Sequence, residues 1–194
     1  GGVTQYNCHP FVHNNWMMMH NGGISGFKQI KRHLRRLLDD DLYDWIQGET
    51  DSEHLFALFL QHAKTHDLSQ IKTVAAVLKK TIQDVLGLVQ QFGGASHQKP
   101  SHFNVCLTDG KRLIATRYCS DKACTPRSLH YAIGSQFLMQ NGQGEMLPSG
   151  EKKSPACVLV SSEKLTQSSV AWQAVPPQHM LLVTAGLDVK LEEF

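Results

Sequence analysis

The sequence predicts an α+β layered domain, and three observations carry that prediction. Apolar residues recur at helical spacing through the first half of the 194 residues. Short apolar runs separated by turn signals fill the second half. Helices grouped before strands also lack the alternation that a βαβ nucleotide-binding fold requires. The length allows one domain with a sizeable core. Residues 1–194 are read as a single domain, without internal repeats or low-complexity tracts.

Taken in order, Trp16-Met17-Met18-Met19 reads as a short buried strand, with the methionines packed in the core, and His20-Asn21-Gly22-Gly23 as the tight turn that ends it. Ser25 is positioned to cap a helix from about Phe27 to Leu38, where Phe27, Ile30, Leu34 and Leu37/Leu38 share a face. A helical patch around Leu42, Trp45 and Ile46 precedes the break at Gly48. Thr50 and Glu53 form a capping-box pattern before the apolar series Leu55, Phe56, Leu58, Phe59 and Leu60. A further helix spans Ile71 to Phe92, with Val74, Leu78, Ile82, Val85, Leu86 and Val89 on one stripe. Gly93-Gly94 ends it, and Ala95 to Ser101 reads as a loop.

From there the pattern becomes that of strands. Phe103–Leu107, Asp109-Gly110 and Leu113–Tyr118 read as a hairpin. More strands are expected at Leu129–Ile133, Cys157–Ser161 and Met180–Val183, with Gln140–Pro155 as an exposed polar loop.

Charge narrows the function classes. Lys and Arg number 19 against 17 Asp and Glu, and only Lys28, Lys31, Arg32, Arg35 and Arg36 cluster. That balance gives no reason to expect nucleic acid or an anionic membrane surface as partner. The five cysteines are odd in number and contain no CxxC pair, which argues against a disulfide framework or zinc knuckle and for a reducing setting. No apolar run approaches the roughly 20 residues needed to span a bilayer, and no signal-peptide pattern opens the chain, so a cytoplasmic location is expected. The chain opens Gly1-Gly2-Val3 without Met and is read as processed, trimmed or a fragment.

Three segments carry a stronger message: Asn7-Cys8-His9-Pro10-Phe11, His20-Asn21-Gly22 and Thr50-Asp51-Ser52-Glu53. In this order and spacing they resemble the class II, N-terminal nucleophile, glutamine amidotransferases. The wording is closest to the branch containing the fungal glutathione-degrading subunit. Thr108-Asp109-Gly110, Arg117-Tyr118, Ser161 to Leu165 and Trp172 to Pro176 extend the resemblance over nearly the whole chain.

The resemblance implies a four-layer αββα N-terminal nucleophile hydrolase sandwich, incomplete at its N-terminus. It implies cleavage of the γ-amide of glutamine or a related γ-glutamyl bond through a cysteine thioester, with the free α-amine as general base. By motif matching, the Asn21 side-chain amide and the Gly22 N–H supply the oxyanion hole, and Asp51 holds the substrate α-ammonium. Gly22 would let the backbone approach the substrate without a Cβ in the way. The nucleophilic cysteine and the arginine that clamps the α-carboxylate have no counterpart in this sequence. The chain alone is therefore expected to be inactive, as a truncated part of a longer enzyme. The implied partners are a small γ-glutamyl substrate and a peptidase subunit, and no cofactor or metal is implied. The rival reading is a non-catalytic glutamyl-binding subunit.

Plainer roles stand beside these. Cys8 and His9 are adjacent in an extended segment, so their side chains diverge and a Cys–His dyad is set aside. His9 either shapes the pocket or fills a core slot, and His20 is read as a hydrogen-bonding structural residue rather than a general base. Asn21-Gly22 alone would pass for a turn, and Asp51 for a helix cap. His62 and His66 have helical metal-ligand spacing but no evident third ligand. The Lys28–Arg36 cluster reads as a solvated helix face or a partner contact.

Overall fold

The computed structural model describes residues 4–140, 143–147, 156–166 and 172–194. In chain order it contains β1 (Phe11–His13), β2 (Trp16–Gly23), α1 (Phe27–Arg35), α2 (Asp40–Trp45), α3 (Asp51–Ala63) and α4 (Ile71–Phe92). These are followed by β3 (His102–Thr108), β4 (Leu113–Cys119), β5 (His130–Gly134), β6 (Gln136–Gln140), β7 (Gln143–Leu147), β8 (Cys157–Ser161), β9 (Trp172–Ala174), β10 (His179–Val183) and β11 (Val189–Glu193).

Strand alternation sorts these elements into layers. The main sheet is antiparallel, with order β1-β2-β3-β4-β10-β11. Its residues Met18, Phe103, Val105, Leu107, Ile114, Met180 and Leu182 face one way and share a core with Ile30, Leu34, Phe56, Phe59, Leu78 and Ile82 of the helices. The intervening Ala115, Leu181 and Val183 face the other way, onto Leu129, Tyr131 and Val175. These period-2 assignments follow from the pleat. A second antiparallel sheet, β8-β5-β9, thus stacks on the first.

The described layers run helix, sheet, sheet. All four α-helices contribute to the single core beneath the main sheet, so none remains for the far side of the small sheet among the described residues. There Ala132, Trp172 and Met146 cluster with Phe137, so the β6–β7 hairpin occupies part of the face where a second helical layer was expected.

Several local expectations need correction. His20–Gly23 is not a turn: β2 continues through it, because Asn21, Gly22 and Gly23 pair with Asn104, Phe103 and His102 of β3. Of the three methionines, only Met18 is core; Met17 and Met19 point to the opposite, exposed face. Ser25 does not cap α1. The N-cap is Gly26 at φ +68, a left-handed conformation glycine adopts freely, while the Ser25 N–H donates to Ser101 Oγ at 2.9 Å. Helix α1 stops at Arg35 rather than Leu38, and Leu37 is exposed. Residues Gly94–Gln98 form a 3-10 turn inside the expected loop. Part of the expected loop at Gln140–Pro155 is strand: β6 and β7 form a hairpin, while residues 141–142 and 148–155 lie outside the described residues.

Other expectations stand as read. Helix α4 spans Ile71–Phe92, and β3 and β4 form the hairpin across Asp109-Gly110. Asp109 fixes that turn by accepting from the Lys111 and Arg112 amides and from the Arg112 guanidinium. Thr50 caps α3 by accepting from the Glu53 N–H at 3.2 Å. The reciprocal half of the capping box is absent, because the Glu53 carboxylate instead accepts from the Gln47 and Gly48 amides. Burial still raises the Glu53 pKa, against the pull of those two donors.

Candidate active site

The three front motifs meet where the end of β2 reaches the start of α3. Both His20 ring nitrogens are engaged: Nε2 lies 3.0 Å from the His102 carbonyl and Nδ1 3.0 Å from Ser52 Oγ. A carbonyl only accepts, so Nε2 carries the proton and Nδ1 accepts from the Ser52 hydroxyl. Burial pushes the His20 pKa down, partly offset by the His102 carbonyl and the Asp51 charge. His20 is therefore a neutral strut joining β2, β3 and α3.

Gly22 is explained by this strut. A Cβ at that position would sit 2.0 Å from the His102 oxygen and 2.5 Å from His20 Nε2. The observed reason for glycine is thus the approach of β3 and the histidine ring. Asp51 is the first residue of α3 and not its cap. Its Oδ2 accepts from the Ile24 N–H at 2.7 Å, which ties the helix start to the segment after β2.

On the other face of the main sheet, Asn21 and Asn104 are paired residues of β2 and β3. Asn21 Oδ1 accepts from Arg127 Nη1 at 3.1 Å. Asn104 Nδ2 donates to the Arg127 and Ser128 carbonyls at 3.1 and 3.0 Å, while its Oδ1 is buried without a hydrogen-bond partner. The loop between β4 and β5 is in turn held by Arg117, which donates to the carbonyls of Val175, Arg127 and Pro126 at 2.7, 3.0 and 3.3 Å.

A cavity of about 320 Å³ opens between the two sheets at this point, lined by His9, His20, Asn21, Asn104 and Cys106. Ser161 and Ser162 form part of its opposite wall, and the Ser162 carbonyl accepts from Ser128 Oγ at 2.8 Å. His9, Asn21 and His20 are thus brought to one hollow, and His9 lines it instead of filling a core slot. Asp51 and Gly22 sit beside this hollow without lining it. Asp51 is close enough to raise the His9 pKa, against the larger downward effects of burial and of His20.

Cys106 faces the cavity, yet burial pushes its thiol up to about 11. At neutral pH it is a protonated thiol and a poor nucleophile. Cys8 is exposed, and its thiol donates to the Thr4 carbonyl. His62 and His66 do not pair as ligands: His62 lies against Thr81 and Asp84, and His66 Nδ1 against the His62 carbonyl. The Lys28–Arg36 cluster lines a separate groove of about 580 Å³ with Tyr43. Sequence reading missed Arg127 and Asn104, which lie 106 and 83 positions beyond Asn21 by their numbering and carry no local motif.

Comparison with known proteins fixes the family. The family model for class II glutamine amidotransferases matches residues 1–193. The chain belongs to the class II glutamine amidotransferases. It is 34% identical over 193 residues to a protein named as a probable glutamine amidotransferase, DUG3, of Saccharomyces cerevisiae, covering 94% of this chain and 54% of that one. It is 26% identical to the putative glutamine amidotransferase YafJ of Escherichia coli, covering 96% of this chain and 66% of the other. The chain therefore spans a little over half to two thirds of the curated relatives it matches.

Among solved structures, a class II domain protein from Silicibacter pomeroyi superposes with a TM-score of 0.71 at 28% identity, covering 98% of this chain and 72% of that one. A predicted glutamine amidotransferase from Pseudomonas aeruginosa gives 0.60 at 19%, covering 95% and 65%, a likeness of fold alone. Among the described residues, no helix of this amidotransferase chain is long and apolar enough to cross a membrane.

Proposed function

We propose that the full-length protein containing this chain hydrolyses γ-glutamyl amide bonds through a cysteine thioester. The single observation that carries this reading is the Asn21 carboxamide, held at its oxygen by Arg127 beside a cavity that His9 and His20 also line. With Oδ1 occupied, the Nδ2 donors of Asn21 are left to point at a developing oxyanion, joined by the Gly22 N–H. Asp51, at the helix start, supplies a negative charge for the substrate α-ammonium. The nucleophilic cysteine, its α-amine base and the arginine for the α-carboxylate come from a segment outside this chain. On this reading the chain belongs to an N-terminal nucleophile sandwich of αββα type and is inactive by itself.

The attacking thiolate forms a tetrahedral adduct at the γ-carbonyl, and its collapse expels the amine and leaves the thioester. Water then releases glutamate. Resemblance to the glutathione-degrading branch adds glutathione and its γ-glutamyl dipeptides to glutamine as substrates, a peptidase as partner, and the cytoplasm as location. The test is glutamate release by the full-length protein from glutamine, glutathione and simple γ-glutamyl amides. No turnover of any of them would sink the proposal. Saturable glutamine binding without turnover would instead favour a non-catalytic glutamyl-binding subunit.

A further inference from the structure

His102, Cys119 and Cys124 meet at one end of the β3–β4 ladder, outside the residues assigned to the glutamyl pocket. His102 and Cys119 are registered partners across the two strands, so their side chains lie side by side. Cys124 returns to them from the following loop, which is folded back by Asp121: its carboxylate accepts from the Ala123 N–H at 2.8 Å and its carbonyl from the Cys124 N–H at 3.1 Å. Cys124 Sγ lies 3.9 Å from His102 Nε2, and the three ligand atoms are all within 4.8 Å of one another.

We propose that His102, Cys119 and Cys124 form a binding site for a zinc-class divalent cation. Zinc bonds of about 2.3 Å to sulfur and about 2.0 Å to nitrogen place tetrahedral ligands roughly 3.6–3.8 Å apart. The observed trio reaches that geometry with side-chain shifts of about an ångström. Two thiolates and an imidazole are a borderline-to-soft donor set, which selects zinc over the oxygen-seeking magnesium and calcium. Three protein ligands leave the fourth position to water.

The other ring nitrogen of His102, Nδ1, is buried without a hydrogen-bond partner. The ring's side-chain contact is thus on its Nε2 side, the nitrogen that faces Cys124 Sγ and would ligate the cation. The bound cation would pin Cys124, and with it the nearby Arg127 and Ser128 that contact Asn21 and Asn104. The spacing hid the site from sequence reading, because Cys119 and Cys124 enclose four residues and not two.

The experiment uses the purified full-length protein under reducing conditions, stripped of metal and reconstituted with zinc or cobalt(II). One metal per chain is expected, and the cobalt form should display thiolate-to-cobalt charge-transfer absorption with the intense visible bands of four-coordination. Cys124→Ser should weaken binding by at least about a hundredfold, beyond the 10–100-fold typical of lost outer-sphere partners. Cys157→Ser should leave it unchanged. Cys124 sits on a loop, so its serine variant tests the site even if Cys119→Ser does not fold. Substoichiometric metal, a cobalt spectrum without sulfur charge transfer, or a spectrum unchanged in Cys124→Ser would overturn the proposal. None of these readouts depends on γ-glutamyl hydrolysis.

Discussion

Arg127 donates from Nη1 to the carboxamide oxygen of Asn21 over 3.1 Å, joining the β4–β5 loop to the end of β2. The contact fixes which end of the amide faces the cavity. In the full-length protein, Arg127→Met should therefore lower kcat for glutamine hydrolysis by about tenfold to a hundredfold, the scale of a small misplacement of a catalytic group. KM should change little, because in the proposed mechanism the contact orients a transition-state donor and not a ground-state one. Steady-state kinetics on variant and wild type decide this. A kcat equal to wild type would remove Arg127 from any positioning role.

His54 gives a pH signature to stability. It is fully buried on α3, lies 2.8 Å from the Thr50 carbonyl through Nδ1, and accepts from Arg35 Nε through Nε2 at 3.1 Å. Burial pushes its pKa from 6.5 to about 4. The unfolded chain thus binds a proton between these values that the folded chain refuses. Stability is fully present above the unfolded pKa of 6.5 and declines as pH falls towards about 4, by about 3 kcal/mol at most. Urea denaturation at about pH 7 and about pH 5 should reveal this decline, and His54→Gln should flatten it. An equal slope in the variant would assign the pH dependence to other groups.

Gly22→Ala should be poorly tolerated without any reference to catalysis. The added methyl meets the backbone oxygen of His102 and the His20 ring, and neither can retreat without breaking the hydrogen bond between them. Overpacking of this kind costs about 1–3 kcal/mol, sometimes more, and for a chain of this size about 2–4 °C of Tm per kcal/mol. A variant with wild-type Tm would show that β2 and β3 can separate freely here.

Ser52→Ala should weaken the same region by a different route. It leaves His20 Nδ1 buried without a donor, which costs about 1–3 kcal/mol. Equilibrium denaturation measures this directly. An unchanged midpoint would mean that the imidazole finds another partner.

Much of this was legible in the sequence, for reasons that can be stated. Helix α4 buries a long, regular apolar stripe and α3 a continuous run from Ser52 to Leu60, and Asp109-Gly110 announces its hairpin. Strands β1 and β9 have three residues each, too few to establish an alternation. Strand β11 does alternate, with Val189 and Leu191 packed against the inter-sheet core, but it was not among the strands expected. His20-Asn21-Gly22 looked like a turn because Asn-Gly is turn chemistry. Only the pairing with β3, 80 residues away, keeps it extended. The motifs pointed to Asn21 and His20, but not to Arg127, Asn104 or the His102–Cys119–Cys124 trio. Those depend on strand register and a loop return, which leave no local periodicity.

The three carbonyls held by Arg117 also have a dynamic consequence. One guanidinium, itself on β4, grips both the loop before β5 and the segment after β9, so these pieces have no independent way to loosen. They should open as one cooperative unit, sharing a single free energy of amide exchange distinct from the fraying of the chain ends. The wall of the cavity is then stiff or open as a whole, and its breathing is governed from a residue that is not part of its lining.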